Sequence, residues 1–244
     1  MALHFLVEDA GGVQVGGQVV LTGAEAHHAA AVRRVRVGEE VTVGDGRGVR
    51  LSGAVEEATA SRVSVRVTGR THAEAPRPRL VLVQALAKGD RDELAVQAAT
   101  ELGVDEIVPW QAARSVSRWD AAKATKGVAR WSAIVREAAK QAHRLWVPEV
   151  AAPVTTRQLA ARAGTSRMLV LEPSAPSALS ALDLAAGDAD LVLVVGPEGG
   201  IAPEELTALT DAGATLVRLG ETVLRTSTAG PAALAVASVR LGRW

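Results

Sequence analysis

LVLVVGPEGGIAPEEL, residues 191–206, decides how the rest of this chain is read. The apolar run 191–195 has the length and β-branched content of a buried strand. It stops at Gly196-Pro197-Glu198-Gly199-Gly200, and Pro203 with Glu204 and Glu205 then opens a helix. Proline suits the first helical turn, and acids complement its positive end. This order puts the glycine turn at the carboxyl end of a strand, where open α/β sheets hold their ligands. It is not a P-loop, because no Lys-Ser/Thr pair follows the last glycine, and the G-x-G-x-x-G spacing of dinucleotide sites is absent. Glu198 opposes a polyphosphate and suits a ligand with hydroxyls or a positive charge. The same residues also fit a tight turn whose glutamate merely complements the helix.

Two further strand ends have the same character. Leu219-Gly220-Glu221-Thr222-Val223-Leu224-Arg225-Thr226-Ser227-Thr228-Ala229 follows the apolar segment 215–220 and enters a helix, with Thr228 or a neighbour as its cap and Pro231 near its first turn. Leu171-Glu172-Pro173-Ser174 ends the run 167–173. Three such loops can converge on one cleft.

Elsewhere the rhythm divides the chain near THAEAPRPR, residues 71–79, which reads as a linker. Before it, residues 41–46, 49–58 and 62–69 alternate as short strands, and 23–35 is the one helical stretch. After it, continuous apolar runs at 80–87, 107–110, 167–173, 191–196 and 215–220 alternate with helical segments, so a parallel sheet covered on both faces is expected. In the helix 89–103, Leu94, Ala98 and Leu102 form the expected buried face.

Composition narrows the function. The 244 residues carry no net charge and no cysteine. Disulfides, thiolate-bound zinc and cysteine nucleophiles are excluded, and with them the cysteine-adduct route to methylating carbon 5 of a pyrimidine. Aromatics make up 2% of residues, with no tyrosine, so a stacking platform for single-stranded RNA is not expected. The start MALHFLVEDA lacks the pattern of a signal peptide, and no apolar run approaches the ~20 residues that span a membrane. A cytoplasmic protein without a membrane partner is the expectation. His27 and His28 are adjacent, so they point apart on a helix and form no metal pair; no metal site is expected.

Charge is local instead. Between 111 and 148, Arg114, Arg118, Lys123, Lys126, Arg130, Arg136, Lys140 and Arg144 face only Asp120 and Glu137. Trp131, Val135, Ala138, Ala142 and Leu145 form an apolar stripe at helical spacing, with Arg130, Glu137, Gln141 and Arg144 on an adjacent face. Phosphate contact and an ordinary solvated helix face both fit. Arg33, Arg34 and Arg36 make a second basic group.

GPEGG at 196–200, followed by the LGxxxLRTxTA pattern at 219–229, resembles the SPOUT methyltransferases, and more closely the RsmE family. HHAAAVRRVRVGEEVTVGDGRG (27–48), ATELGVDEIVPWQAARSV (99–116) and RWSAIVREAAKQAHRLWVPEV (130–150) extend the likeness over the whole chain. The resemblance implies an α/β fold of two domains: a PUA-like β-barrel RNA-binding domain at 1–73 and a trefoil-knotted SPOUT domain with a parallel sheet at 74–244. It implies S-adenosylmethionine as cofactor, a homodimer, and methylation of N3 of a uridine in 16S ribosomal RNA or the small subunit. By the same resemblance Leu171, Glu172, Gly196, Pro197, Glu198, Gly199, Gly200, Ile201, Leu219, Gly220, Val223, Leu224, Arg225, Thr226, Thr228 and Ala229 hold the cofactor. Arg33, Arg34, Arg36, Arg114, Arg130 and Arg144 meet RNA. Arg144 and Arg225 stabilise the anionic base, with Glu137 or water taking the proton. The chain departs from the family pattern at Ser227, where glutamate is usual, and at Ala98, where lysine is often found. A ribose 2′-O-methyltransferase of the same fold and a catalytically silent assembly protein are the alternatives.

Overall fold

The computed structural model describes residues 2–185 and 187–244. The chain forms two compact units: residues up to Ala75 together with Ala139–Val147, and Pro76–Ala138 together with Pro148–Trp244. The segment 139–147, which the sequence assigns to the second domain, belongs with the first.

The first unit is a curled mixed sheet in the order β1-β3-β4-β5-β2. Its strands are β1 (Leu3–Leu6), β2 (Gln18–Thr22), β3 (Glu40–Gly44), β4 (Val49–Ala58) and β5 (Arg62–His72), with β1 parallel to β3 and the other pairs antiparallel. Alternation along β3 to β5 buries Val41, Val43, Leu51, Val55, Val63, Val65 and Val67 around Phe5 and Leu21. The helix expected over 23–35 is shorter: α1 (Gly23–His27) passes into one π-helical turn, His28–Val32. Residues 145–147 are held by the turn between β3 and β4. Gly48 N–H donates to the Leu145 carbonyl at 2.9 Å, Val147 N–H to the Gly46 carbonyl at 2.9 Å, and Trp146 Nε1 to the Ala73 carbonyl at 2.9 Å. Gly48 has φ +102°, and a Cβ there would lie 2.5 Å from the Ala73 oxygen, so glycine is required.

In the second unit six parallel strands run in the order β11-β9-β10-β6-β7-β8. They are β6 (Leu80–Ala85), β7 (Glu106–Trp110), β8 (Glu149–Val150), β9 (Arg167–Leu171), β10 (Leu191–Val195) and β11 (Thr215–Val217), each paired in parallel with its neighbours. Their helices are α2 (Arg91–Glu101), α3 (Ala121–Gln141), α4 (Thr156–Ala163), α5 (Pro203–Asp211) and α6 (Thr226–Arg240). One sheet face, with Val81, Val83, Val170 and Val194, packs against Leu159 and Ala163 of α4 and Leu209 of α5. The other meets α6: a Cβ on Gly230 would lie 2.9 Å from Leu82 Cδ1.

Two further helices differ from expectation. In α2 the buried residues are Asp92, Ala95, Val96, Ala99 and Thr100, while Leu94 is 51% exposed and Ala98 and Leu102 are half-buried. Small residues let α2 lie close to α6 and β6, so the larger Leu94 falls outside. α3 ends at Gln141 instead of running to Leu145. His143 takes φ 53°, and the Arg144 N–H returns to the Ala139 carbonyl at 2.9 Å, a Schellman-type stop. Ala142, Arg144 and Leu145 therefore leave the helical stripe and face assigned to them.

Candidate active site

The loops after β9, β10 and β11 line one cavity of about 430 Å³ at the carboxyl edge of the sheet, a size typical of small-molecule sites. Leu171 and Glu172 come from the first loop, and Gly196, Pro197, Glu198, Gly200 and Ile201 from the second. Leu219, Gly220, Val223, Leu224, Arg225, Thr226 and Ala229 come from the third. Of the residues expected there, Gly199 and Thr228 do not line it. The Gly199 carbonyl accepts Arg114 NH1 at 3.2 Å, and Thr228 is exposed. Arg91, Arg218 and Thr222 line it without having been singled out.

The glycine loop is shaped by contact. A Cβ on Gly196 would lie 2.6 Å from Ile201 Cγ1. The Gly200 N–H closes a turn on the Pro197 carbonyl at 2.9 Å with φ +71° at Gly200. Glu198 Oε1 accepts the Lys88 N–H at 3.0 Å and Arg91 NH1 at 3.0 Å. Burial alone would raise this carboxyl. Backbone donors and the Arg91 guanidinium outweigh burial and hold it below the usual carboxylate range. The glutamate thus braces the loop against the start of α2.

Thr226 links two walls. Its hydroxyl donates to the Gly196 carbonyl at 2.9 Å and accepts Nε2 of Gln84 at 3.0 Å. Gln84 is fully buried in β6, and its Oε1 has no protein partner. It is the polar residue in LVLVQA, and that interruption of an apolar run was its one sequence signal. On the third wall, Arg218 NH1 donates to the Ala175 carbonyl at 2.8 Å and also to that of Pro176. Glu172 Oε1 accepts Ser174 Oγ at 2.8 Å. α6 begins at Thr226, one turn before Pro231, with Arg225 as its N-cap rather than Thr228.

Among the described residues, the lining has no lysine. Leu171, Ile201, Leu219, Val223 and Leu224 offer apolar surface, and Arg91 and Arg218 are engaged by Glu198 and backbone carbonyls. With Glu172, Glu198 and Arg225 beside them, these walls offer a small ligand apolar surface together with both hydrogen-bond donors and acceptors.

The other expected residues are dispersed. Arg130 NH2 donates to Glu93 Oε2 at 2.6 Å. Arg114 is exposed in the second unit, as is Glu137 on α3. Arg33, Arg34 and Arg36 are exposed in the first unit, which also contains the half-buried Arg144.

Residues 73–238 match the family of RNA methyltransferase domains, and residues 21–68 the PUA domain of RNA methyltransferases. Over 235 residues, 94% of this chain and 89% of the other, the sequence is 47% identical to the ribosomal RNA small subunit methyltransferase E of Mycobacterium bovis. It is 33% identical to the Bacillus subtilis protein of that name, over 89% of this chain and 88% of the other. The crystal structure of the Neisseria gonorrhoeae ribosomal RNA small subunit methyltransferase E, bound to S-adenosylmethionine, aligns over 98% of each chain with a TM-score of 0.86 and 27% identity. A methyltransferase from Legionella pneumophila, in complex with the same cofactor, aligns over 98% of each chain with a TM-score of 0.86 and 29% identity.

Proposed function

We propose that this chain, which belongs to the ribosomal RNA small subunit methyltransferase E family, transfers a methyl group from S-adenosylmethionine to N3 of a uridine in 16S ribosomal RNA. The observation that carries this reading is the single cavity into which the three strand-end loops converge. The strand order, with β10 between β9 and β6 and Thr226 closing onto Gly196, supports the knotted form of the SPOUT domain.

The cofactor supplies a methyl group on a sulfonium, already activated for transfer. The protein's task is then placement, which accounts for about 7–11 kcal/mol of barrier in favourable reactions, and management of charge on the base. Gly196 lets the loop backbone approach the ligand, and Glu198 and Thr226 hold that backbone in place. Arg225, on the cavity wall at the start of α6, stabilises the uracil anion once its N3 proton has left, with Glu137 or water as the proton acceptor. Arg33, Arg34, Arg36 and Arg114 meet the RNA backbone, together with Arg130 if it exchanges Glu93 for a phosphate.

The active form in this reading is a homodimer working in the cytoplasm. No helix among the described residues is long and apolar enough to cross a membrane.

The test is transfer from isotopically labelled S-adenosylmethionine to unmethylated small subunits and to stripped 16S RNA, with the product nucleoside identified by mass spectrometry. 3-Methyluridine at one site is expected. A 2′-O-methyl product would overturn the specificity. Cofactor binding without transfer would point to another RNA or to a loss of catalysis, and the absence of both to a silent assembly protein.

A further inference from the structure

The first unit contains a second cavity, of about 210 Å³, lined by His4, His28, Arg33, Lys140, Gln141 and His143 as its polar residues. No carboxylate is among its described lining residues. Lys140 is only 4% exposed at its side chain, and its Nζ lies 3.1 Å from Glu25 Oε1. Arg50 adds positive charge beside the cavity by donating NH2 to the His143 carbonyl. His4 is 7% exposed; its Nδ1 is 2.8 Å from Thr42 Oγ1, its ring stacks on His143 at 5.1 Å, and its Nε2 has no protein partner.

The backbone around this cavity is held in uncommon conformations. Among the described residues, the non-glycine positions with positive φ are Arg34 at 56° and His143 at 53°. His143 lines the cavity, and Arg34 follows the lining residue Arg33. His28 opens the π-helical turn. His143 is the left-handed residue of the α3 stop, and Arg34 follows the π-helical turn, where Val35 N–H returns to the Ala29 carbonyl at 3.1 Å. Here they hold imidazole, guanidinium and amide donors around one space, and the carboxylate paired with Lys140, Glu25, is not among the described lining residues. A tetrahedral oxyanion fits that donor set, because a guanidinium matches two of its oxygens at once.

We propose that this cavity seats one phosphodiester of the RNA backbone, bound by the Arg33 guanidinium and the Gln141 amide beside the His28 and His143 rings. The inference rests on the RNA-binding reading of the first unit and narrows it to one phosphate. Arg50 raises the potential there without touching the phosphate, and Glu25 offsets the charge of Lys140.

The experiment uses the full chain with 15N-labelled histidine. Imidazole signals are followed by NMR against inorganic phosphate, a short oligoribonucleotide, uridine, and chloride at matched ionic strength. Phosphate and the oligoribonucleotide are expected to shift the His143 and His28 signals and raise the titration midpoint of His143, since the approaching anion offsets burial and the Arg50 charge that now lower it. Arg33→Gln should abolish the phosphate response and weaken oligoribonucleotide binding about tenfold. It should also reduce the salt dependence by about one counterion. Arg66→Gln, on β5 and paired with Glu56, should change neither. An equal response to uridine or chloride overturns the assignment, and so does silence towards both phosphate and oligoribonucleotide. Methyl transfer to ribosomal RNA, read separately, survives those outcomes if only the phosphate seat is wrong and disappears if the enzyme reading is wrong.

Discussion

The hydroxyl of Thr226 donates to the carbonyl of Gly196 at 2.9 Å, so the first residue of α6 and the first residue of the glycine loop share one hydrogen bond across the cavity wall. Gln84 completes the chain from beneath. Thr226→Val keeps the shape and removes both bonds. It should cost about 1–3 kcal/mol of stability, because the buried Gln84 amide loses a partner. S-adenosylmethionine affinity should fall roughly tenfold. Thr226→Ser should restore both. Calorimetry and urea denaturation of the three proteins decide it; a valine variant that binds like the parent removes Thr226 from the positioning role.

Gly196 is set by its neighbour. Alanine there would bring Cβ to 2.6 Å from Ile201 Cγ1. Gly196→Ala should destabilise by about 1–3 kcal/mol through overpacking and weaken cofactor binding. Adding Ile201→Ala removes the clashing atom, so the double variant should bind better than Gly196→Ala alone. A strictly additive loss would mean that the glycine is needed for some other reason.

Arg225 caps α6 through its backbone carbonyl, which receives Thr228 N–H at 2.8 Å and Ala229 N–H at 2.9 Å. Its side chain can be truncated without disturbing the cap. Arg225→Ala should lower kcat by roughly a hundredfold, the usual loss for one donor to a developing anion, while the cofactor Kd stays within a few-fold. Unchanged kcat would move anion stabilisation to another group.

Acid should loosen the first unit through His4. Burial, then the charges of His143, Arg50 and Lys140, push its pKa from 6.5 down to about 4. Between those values the unfolded chain binds a proton that the folded chain refuses. The contribution is therefore complete above about pH 6.5 and is lost as pH falls towards 4. At pH 5 the loss is about 2 kcal/mol, at 1.36 kcal/mol per unit. His4→Gln should flatten this limb, read from amide exchange in β3 and β4 across that range. An identical slope in the variant would place the acid sensitivity on other groups.

The second unit was the more legible from sequence, and for a physical reason. Parallel strands buried on both faces must be continuously apolar, so LVLVQA and LVLVV stand out, and the small residues ending such runs mark the cavity. What escaped has equally local causes. The inner face of α2 is built of Ala95, Val96 and Ala99, which give little amphipathic contrast, so the larger Leu94 misled. The stop of α3 uses a histidine where glycine is the usual signal. β1 and β2 are short, and LHFL carries no clear alternation. Arg91 and Gln84 matter through partners distant in sequence, Glu198 and Thr226, and no spacing rule links them.

The first unit draws Ala139–Val147 from far down the chain, which gives the protein an order of assembly. A nascent chain stalled after residue 75 would lack Lys140, the partner of Glu25, and Trp146 and Val147, which cover the turn between β3 and β4. The first unit can close only once residue 147 has left the ribosome, and the cavity of the second only once Ala229 has followed. Because domains fold as units during synthesis, the first unit would be complete some eighty residues before the cavity of the second.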